Sequence, residues 1–195
     1  MQPVDSRERI LQATRARLKS QGILGLRVAD VAKDADTSIT LIYKYYRDRD
    51  GLLAQVLGDL YDEFRERQMN RVETWLAANG SITLEQFAAI TPNPAEESKS
   101  DRDFRLQMLA TALENEELRQ RIKKTTSEVH SWIMRTLEVA RKKLPVEDQG
   151  FDGRYISVMM FNMIFVFYDL MDDNKITADE YREMVVSHLR NSARN

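Results

Sequence analysis

The 195 residues predict an all-α protein, and three observations carry that prediction. Apolar residues recur at helical spacing along most of the chain, and no stretch shows the strict two-residue alternation of a half-buried strand. Helix-start signals punctuate the sequence, including the capping boxes Thr83–Gln86 and Thr177–Glu180. There is no internal repeat and no low-complexity segment. The pattern divides into a three-helix N-terminal unit, residues 1–50, and a larger helical domain, residues 51–195.

Residues 7–21 form the first helix, with Ile10, Leu11, Thr14 and Leu18 on one side and Gly22 ending it. Arg9, Arg15, Arg17 and Lys19 cover the rest and are expected to be mostly solvated. Val28, Val31, Ala32 and Ala35 mark a short second helix, and after a polar break Ser38 caps a third, which turns Ile42 and Tyr46 inward. Together these make a helix-turn-helix pattern. Thr40, Leu41, Tyr43 and Lys44 ring the first turns of the third helix with groups able to touch base edges or phosphates, which suits insertion into a major groove. Spacing alone also fits an ordinary surface helix hairpin.

After Asp48 a long helix runs through Leu53, Val56, Leu57, Leu60, Tyr61 and Phe64 towards Leu76, and its start beside the third helix makes it a lever on that helix. A segment opened by Thr83 and one around Phe104, Met108, Leu109 and Ala112 follow. Between them TPNPAEESKS, residues 91–100, reads as a mobile surface loop. Residues 115–144 make a long amphipathic helix, with Leu118, Ile122, Val129, Trp132, Ile133, Thr136, Leu137 and Ala140 inward and Pro145 after its end. The run from Tyr155 to Met171 is apolar nearly all round but falls short of the roughly 20 apolar residues of a membrane span. It is therefore expected to be buried on one side by its own domain and on another by a second subunit. Tyr181, Met184, Val185, His188 and Leu189 form the stripe of a last helix.

With 43% hydrophobic residues the chain can fill one sizeable core or two smaller ones. Its net charge of -2 is unevenly spread. Residues 1–52 carry ten basic against seven acidic residues, a net +3, and the remainder 19 against 24, a net -5. A locally basic unit on an acidic body fits one face offered to phosphates. The absence of cysteine excludes a disulfide framework, a zinc finger and a thiol nucleophile, and is compatible with a reducing cytoplasm. The opening MQPVDSRERI has no signal-peptide core.

Enzyme chemistry finds little support. There is no glycine-rich phosphate loop or nucleophile elbow, and the acidic pairs Glu96–Glu97 and Glu116–Glu117 fall in solvated-looking segments. His130 and His188 lack ligand spacing, so no metal site is expected. The segment from Asp172 to Glu183 fits a calcium loop at positions one, three and twelve, but it fails at the fifth and lacks the sixth-position glycine.

Residues 7–53 resemble the DNA-binding region of the TetR family of bacterial transcriptional regulators. Val28, Asp30, Val31 and Ala32 fit its second helix, Ser38 its cap, and Tyr43, Tyr46, Arg49 and Leu52 the signature that follows. Asp36 replaces the usual turn glycine, Tyr46 a phenylalanine, Arg49 a lysine, and Arg27 a capping threonine or serine.

The resemblance implies a homodimeric cytoplasmic regulator, at the nucleoid when DNA-bound, whose partners are a double-stranded DNA operator and a largely apolar small-molecule effector. No cofactor and no membrane attachment are expected. Thr40, Leu41 and Lys44 would meet bases, Ile39 a thymine methyl, and Ser38, Tyr43, Tyr45 and Arg49 phosphates. Trp75, Phe104, Met108, Trp132, Met160, Asn162 and Met163 are the candidates for an effector pocket. Such residues equally describe an ordinary core, and Asn162 could bond across a dimer interface. Phe161, Phe165, Tyr181, Val185 and His188 are the candidates for pairing. A DNA-bound architectural or protein-interaction factor without a ligand is the alternative.

Overall fold

In the computed structural model, which describes residues 5–93, 95–150 and 177–192, each helix begins and ends where local chemistry requires. Helix α1 (Ser6–Gln21) starts where the Asp5 side chain accepts from the Arg7 amide. It stops at Gly22, whose positive φ of 69° lets its N–H close on the Leu18 carbonyl.

Helix α2 (Val28–Asp34) has no side-chain cap at Arg27. It ends in a Schellman turn, with Thr37 N–H on the Ala32 carbonyl and Asp36 N–H on that of Lys33. Asp36 holds the left-handed position at φ 48°, a site that favours glycine and that Asp tolerates better than most residues. Ser38 then caps α3 (Ile39–Tyr46), accepting from Leu41 N–H at 3.1 Å.

The exit from α3 is tighter than the sequence suggests. Arg47 sits at φ 66°, ψ -55°, and Asp48 N–H bonds the Tyr46 carbonyl two residues back at 2.8 Å, which is a γ-turn of the rare positive-φ kind. Asp48 caps the next helix through Gly51 N–H at 2.7 Å. Gly51 is required there, because a β-carbon would lie 2.1 Å from the Tyr46 carbonyl oxygen.

Five further helices follow: α4 (Arg49–Ala78), α5 (Leu84–Ile90), α6 (Lys99–Glu114), α7 (Glu116–Arg141) and α8 (Ala178–Ser192), with a 3-10 turn at Val146–Asp148. Among the described residues there is no strand, and no helix is long and apolar enough to cross a membrane.

The chain falls into two compact units. One unit comprises Met1–Glu63 and Asp103–Thr125, the other Phe64–Arg102 and Thr126–Asn195. In the first, Ile10, Leu18, Val31, Ile42 and Tyr46 of the three short helices pack with Leu52, Leu53, Val56 and Leu57 of α4, Met108 and Ala112 of α6 and Leu118 of α7. α6 and α7 meet at Asn115, a buried residue that caps α7 through Leu118 N–H at 3.0 Å and donates to the Asp50 carbonyl at 2.8 Å.

In the second unit the α8 stripe expected to pair with a second subunit finds a partner inside the chain. Tyr181, Val185, Val186 and Leu189 are buried with Leu84, Phe87 and Ala88 of α5 and with Trp132, Ile133 and Leu137 of α7. Both capping boxes form, Thr83 with Gln86 and Thr177 with Glu180. The loop after α5 is pinned rather than free: Asn93 is buried and donates to the Ala178 carbonyl at 3.0 Å, and Glu96 pairs with Arg182.

Candidate nucleic-acid interface

The helix-turn-helix presents one face of α3 outward. Ile42 and Tyr46 are buried in the first core, whereas Ser38, Ile39, Thr40, Tyr43, Lys44 and Tyr45 are exposed and Leu41 is half-buried. The 3.6-residue period puts 42 and 46 on one face and 40 and 44 opposite, with 43 at the side, while Ile39 is exposed as the first residue of the helix. Hydroxyls, a lysine amine and an isoleucine methyl are thus grouped on an eight-residue helix with a capped, accessible N-terminus, a set that can bond base edges and phosphates and touch a thymine methyl. Tyr45 packs edge-on against Tyr46 with ring centroids 6.2 Å apart.

Burial pushes the Tyr46 phenol above its ordinary pKa, while Arg7, whose guanidinium lies 5.7 Å over the ring, pulls it the other way.

The arginines are placed differently from the expectation. Arg49 is turned inward, its guanidinium donating to the carbonyls of Ile23 at 3.0 Å and Leu26 at 3.2 Å in the α1–α2 connection. The α1 arginines are not loose in solvent either. Arg9 donates to the Ala35 carbonyl, Arg15 grips Glu63 with both guanidinium nitrogens at 2.9 and 2.7 Å, and Arg17 grips Asp34 at 2.6 and 2.9 Å. The Arg17 bond holds the Asp34 carboxyl below its usual range, and the Glu63 bond raises Arg15.

Four basic side chains of the first three helices and their connections remain exposed with no bond shown among the described residues: Lys19, Arg27, Lys33 and Lys44. Of these only Lys44 was singled out as a DNA contact from sequence.

The described candidate pocket residues are divided between the two hydrophobic cores. Met108 is fully buried and Phe104 partly buried in the first core, while Trp132 is buried and Trp75 packs at the edge of the second. Trp132 donates its indole N–H to Glu73 at 2.5 Å and borders an open groove of about 340 Å³ shared with Glu73, Arg135, Val139 and Lys143. Met160, Asn162 and Met163 of the pocket set and Phe161 and Phe165 of the interface set lie outside the described residues. Of the remaining interface candidates, Tyr181 and Val185 face α5 and His188 is half-buried, leaving Glu183, Met184 and Ser187 on the outer side of α8.

Residues 10–56 match the family model described as "Bacterial regulatory proteins, tetR family". Over 85 residues the chain is 29% identical to the HTH-type transcriptional regulator BetI of Klebsiella pneumoniae (strain 342), covering 44% of this chain and 43% of that protein. The chain thus matches about two fifths of the length of its curated relatives. Whole-chain likeness comes from solved structures. A TetR transcription regulator from Haloarcula marismortui superposes with a TM-score of 0.62 at 20% identity, covering 97% of each chain. A Saccharomonospora viridis protein solved in complex with choline gives 0.63 at 16%, covering 93% of this chain and 94% of the other. At these identities the likeness is one of fold.

Proposed function

We propose that this chain, which belongs to the TetR family of bacterial transcriptional regulators, is a homodimeric repressor that binds a palindromic operator and leaves it when a small molecule occupies the larger domain. The observation that carries the DNA half is the outer face of α3, where Ile39, Thr40, Tyr43 and Lys44 stand exposed over the buried Ile42 and Tyr46. In this reading Thr40, Leu41 and Lys44 meet base edges and Ile39 a thymine methyl, while Ser38, Tyr43 and Tyr45 hold phosphates. Arg49, committed to the Ile23 and Leu26 carbonyls, leaves the phosphate set, and Lys33 on α2 joins it.

A dimer places its two recognition helices about 34 to 36 Å apart, one helical turn, or a multiple of that. An effector that prefers a different spacing by about 1 to 3 kcal/mol changes operator affinity roughly 5- to 150-fold. That one solved neighbour holds choline and another, a multidrug binding protein, imidazole supports a small-molecule effector. Met108 filling a core instead of lining a cavity supports the alternative of a DNA-bound factor without a ligand.

Selection of bound sequences from a random duplex pool tests the operator. A two-fold symmetric site with half-sites about 10 to 10.5 bp apart, or a multiple, is expected. A single asymmetric half-site would remove the dimer, and no enrichment would remove sequence-specific binding. Thermal shift against a panel of small cations and apolar compounds separates the two readings: a ligand-relieved repressor gains stability with a compound that also releases DNA, and a factor without a ligand does not.

A further inference from the structure

We infer that Glu117 holds Arg47 off DNA, so that this last cation of the recognition helix joins the phosphate contacts only when DNA displaces the carboxylate; the inference rests on the DNA-binding reading of α3 and deepens it. Arg47 follows Lys44 by three residues and Tyr43 by four, spacings that place it at the end of the outward face. Its amide still closes on the Tyr43 carbonyl at 2.8 Å, so the γ-turn keeps it attached to that helix. The side chain is 73% exposed, yet the guanidinium donates to Glu117, itself 59% exposed, at 2.5 Å.

The carboxylate is delivered, not merely nearby. Asn115 caps α7 and ties its start to the Asp50 carbonyl, three residues beyond Arg47, so the first turn of α7 is fixed beside the γ-turn. Glu116 in the same turn is paired with Arg119, which leaves Glu117 to face Arg47. A carboxylate offers a guanidinium the same kind of charge-assisted acceptor as a DNA phosphate, so the two acceptors compete for one donor. An exposed pair of this kind is worth about 1.4- to 5-fold in an equilibrium constant. DNA can break it at close approach, and until then the pair lowers affinity for duplex of any sequence.

The test is fluorescence anisotropy with a short random-sequence duplex across about 50 to 200 mM salt. Glu117→Gln should bind about 1.4- to 5-fold tighter than wild type with the same salt slope, because Arg47 reaches a phosphate in both complexes. In an Arg47→Gln background the same substitution should change neither affinity nor slope. An equal gain in both backgrounds would mean that Glu117 simply repels DNA, and no gain in the wild-type background would mean that it restrains nothing; either overturns the inference. Glu117→Asp, which withdraws the carboxylate by one methylene, should give a smaller gain of the same kind and serves if the glutamine variant folds poorly. The DNA-binding reading is checked separately: wild type that binds no duplex at low salt removes that reading and this inference together, whereas binding weakened by Lys44→Ala with no response to Glu117→Gln removes this inference alone.

Discussion

Replacing Arg49 separates a structural role from a phosphate contact. Its guanidinium bonds the Ile23 and Leu26 carbonyls at 3.0 and 3.2 Å, and both of those residues are buried in the connection that sets α2 against α1. A hydrogen bond to a charged donor contributes about 1.5 to 3 kcal/mol when enclosed, but the Arg49 side chain is 39% exposed, and screening reduces each bond to about 1 kcal/mol. Arg49→Ala should therefore cost about 2 kcal/mol, a fall in Tm of about 4 to 8 °C for a chain of this size. Arg49→Lys, whose point charge cannot fork to both carbonyls, should lose about half of that. Urea denaturation followed by circular dichroism measures the stability, and anisotropy across a salt series measures the phosphate count. Unchanged stability with a slope flatter by about 0.9 would refute the reasoning, because the guanidinium would then be meeting DNA.

Asn115→Ala removes the α7 cap and the bond to the Asp50 carbonyl and should cost about 1 to 3 kcal/mol, while Asn115→Ser, which keeps a capping oxygen, should recover about half; equal losses would mean that the cap contributes nothing. Three carboxyls are held below their usual range: Asp34 by Arg17, Glu85 by its own amide and Thr83, and Glu180 by the Thr177 amide and hydroxyl. Their folded pKa values lie below the unfolded ones, so their stabilisation is present above the ordinary carboxylate range near about 4 and is lost as pH falls through the folded values. The urea midpoint should accordingly hold from neutral pH down to about 5 and drop below about 4; a midpoint that rises on acidification would contradict the assignments.

What could be read from the sequence was the chemistry that acts within one turn. Ser38, Gly22 and the two capping boxes did as their residue types require, because a cap finds its partner within a few positions. The inward faces of Ile42 and Tyr46 followed from period alone. Partners far along the chain were not legible. Arg49 reaches back 23 and 26 residues and Arg15 forward 48, and nothing in an arginine's neighbours says whether it will meet a carbonyl, a carboxylate or water. Of the α8 stripe, Tyr181, Val185 and Leu189 are buried and Met184 is exposed, and spacing cannot name what buries a face when α5 lies about a hundred residues earlier. The γ-turn escaped for a different reason: its central residue is an arginine, and the backbone signal at that junction sits instead on Gly51.

The same contrast between arginine and lysine bears on how strongly this head holds DNA. Arg9, Arg15, Arg17 and Arg49 reach carbonyls or carboxylates of their own unit, as the planar fork of a guanidinium favours, whereas Lys19, Lys33 and Lys44 remain exposed. The net +3 of residues 1–52 therefore overstates the field DNA meets, because Arg15 and Arg47 pair with Glu63 and Glu117 outside that span. Counter-ion release depends on phosphates neutralised, and Lys19, Arg27, Lys33 and Lys44, with Arg47 once DNA displaces Glu117, bring that number to five per head. At about 0.9 per contact the salt slope should not exceed about 4.5 per head, against about 9 if all ten basic residues took part. A slope much steeper than about 9 for a dimer would mean that the internal pairs of Arg15 and Arg17 also open on DNA, beyond the far more exposed pair of Arg47 and Glu117.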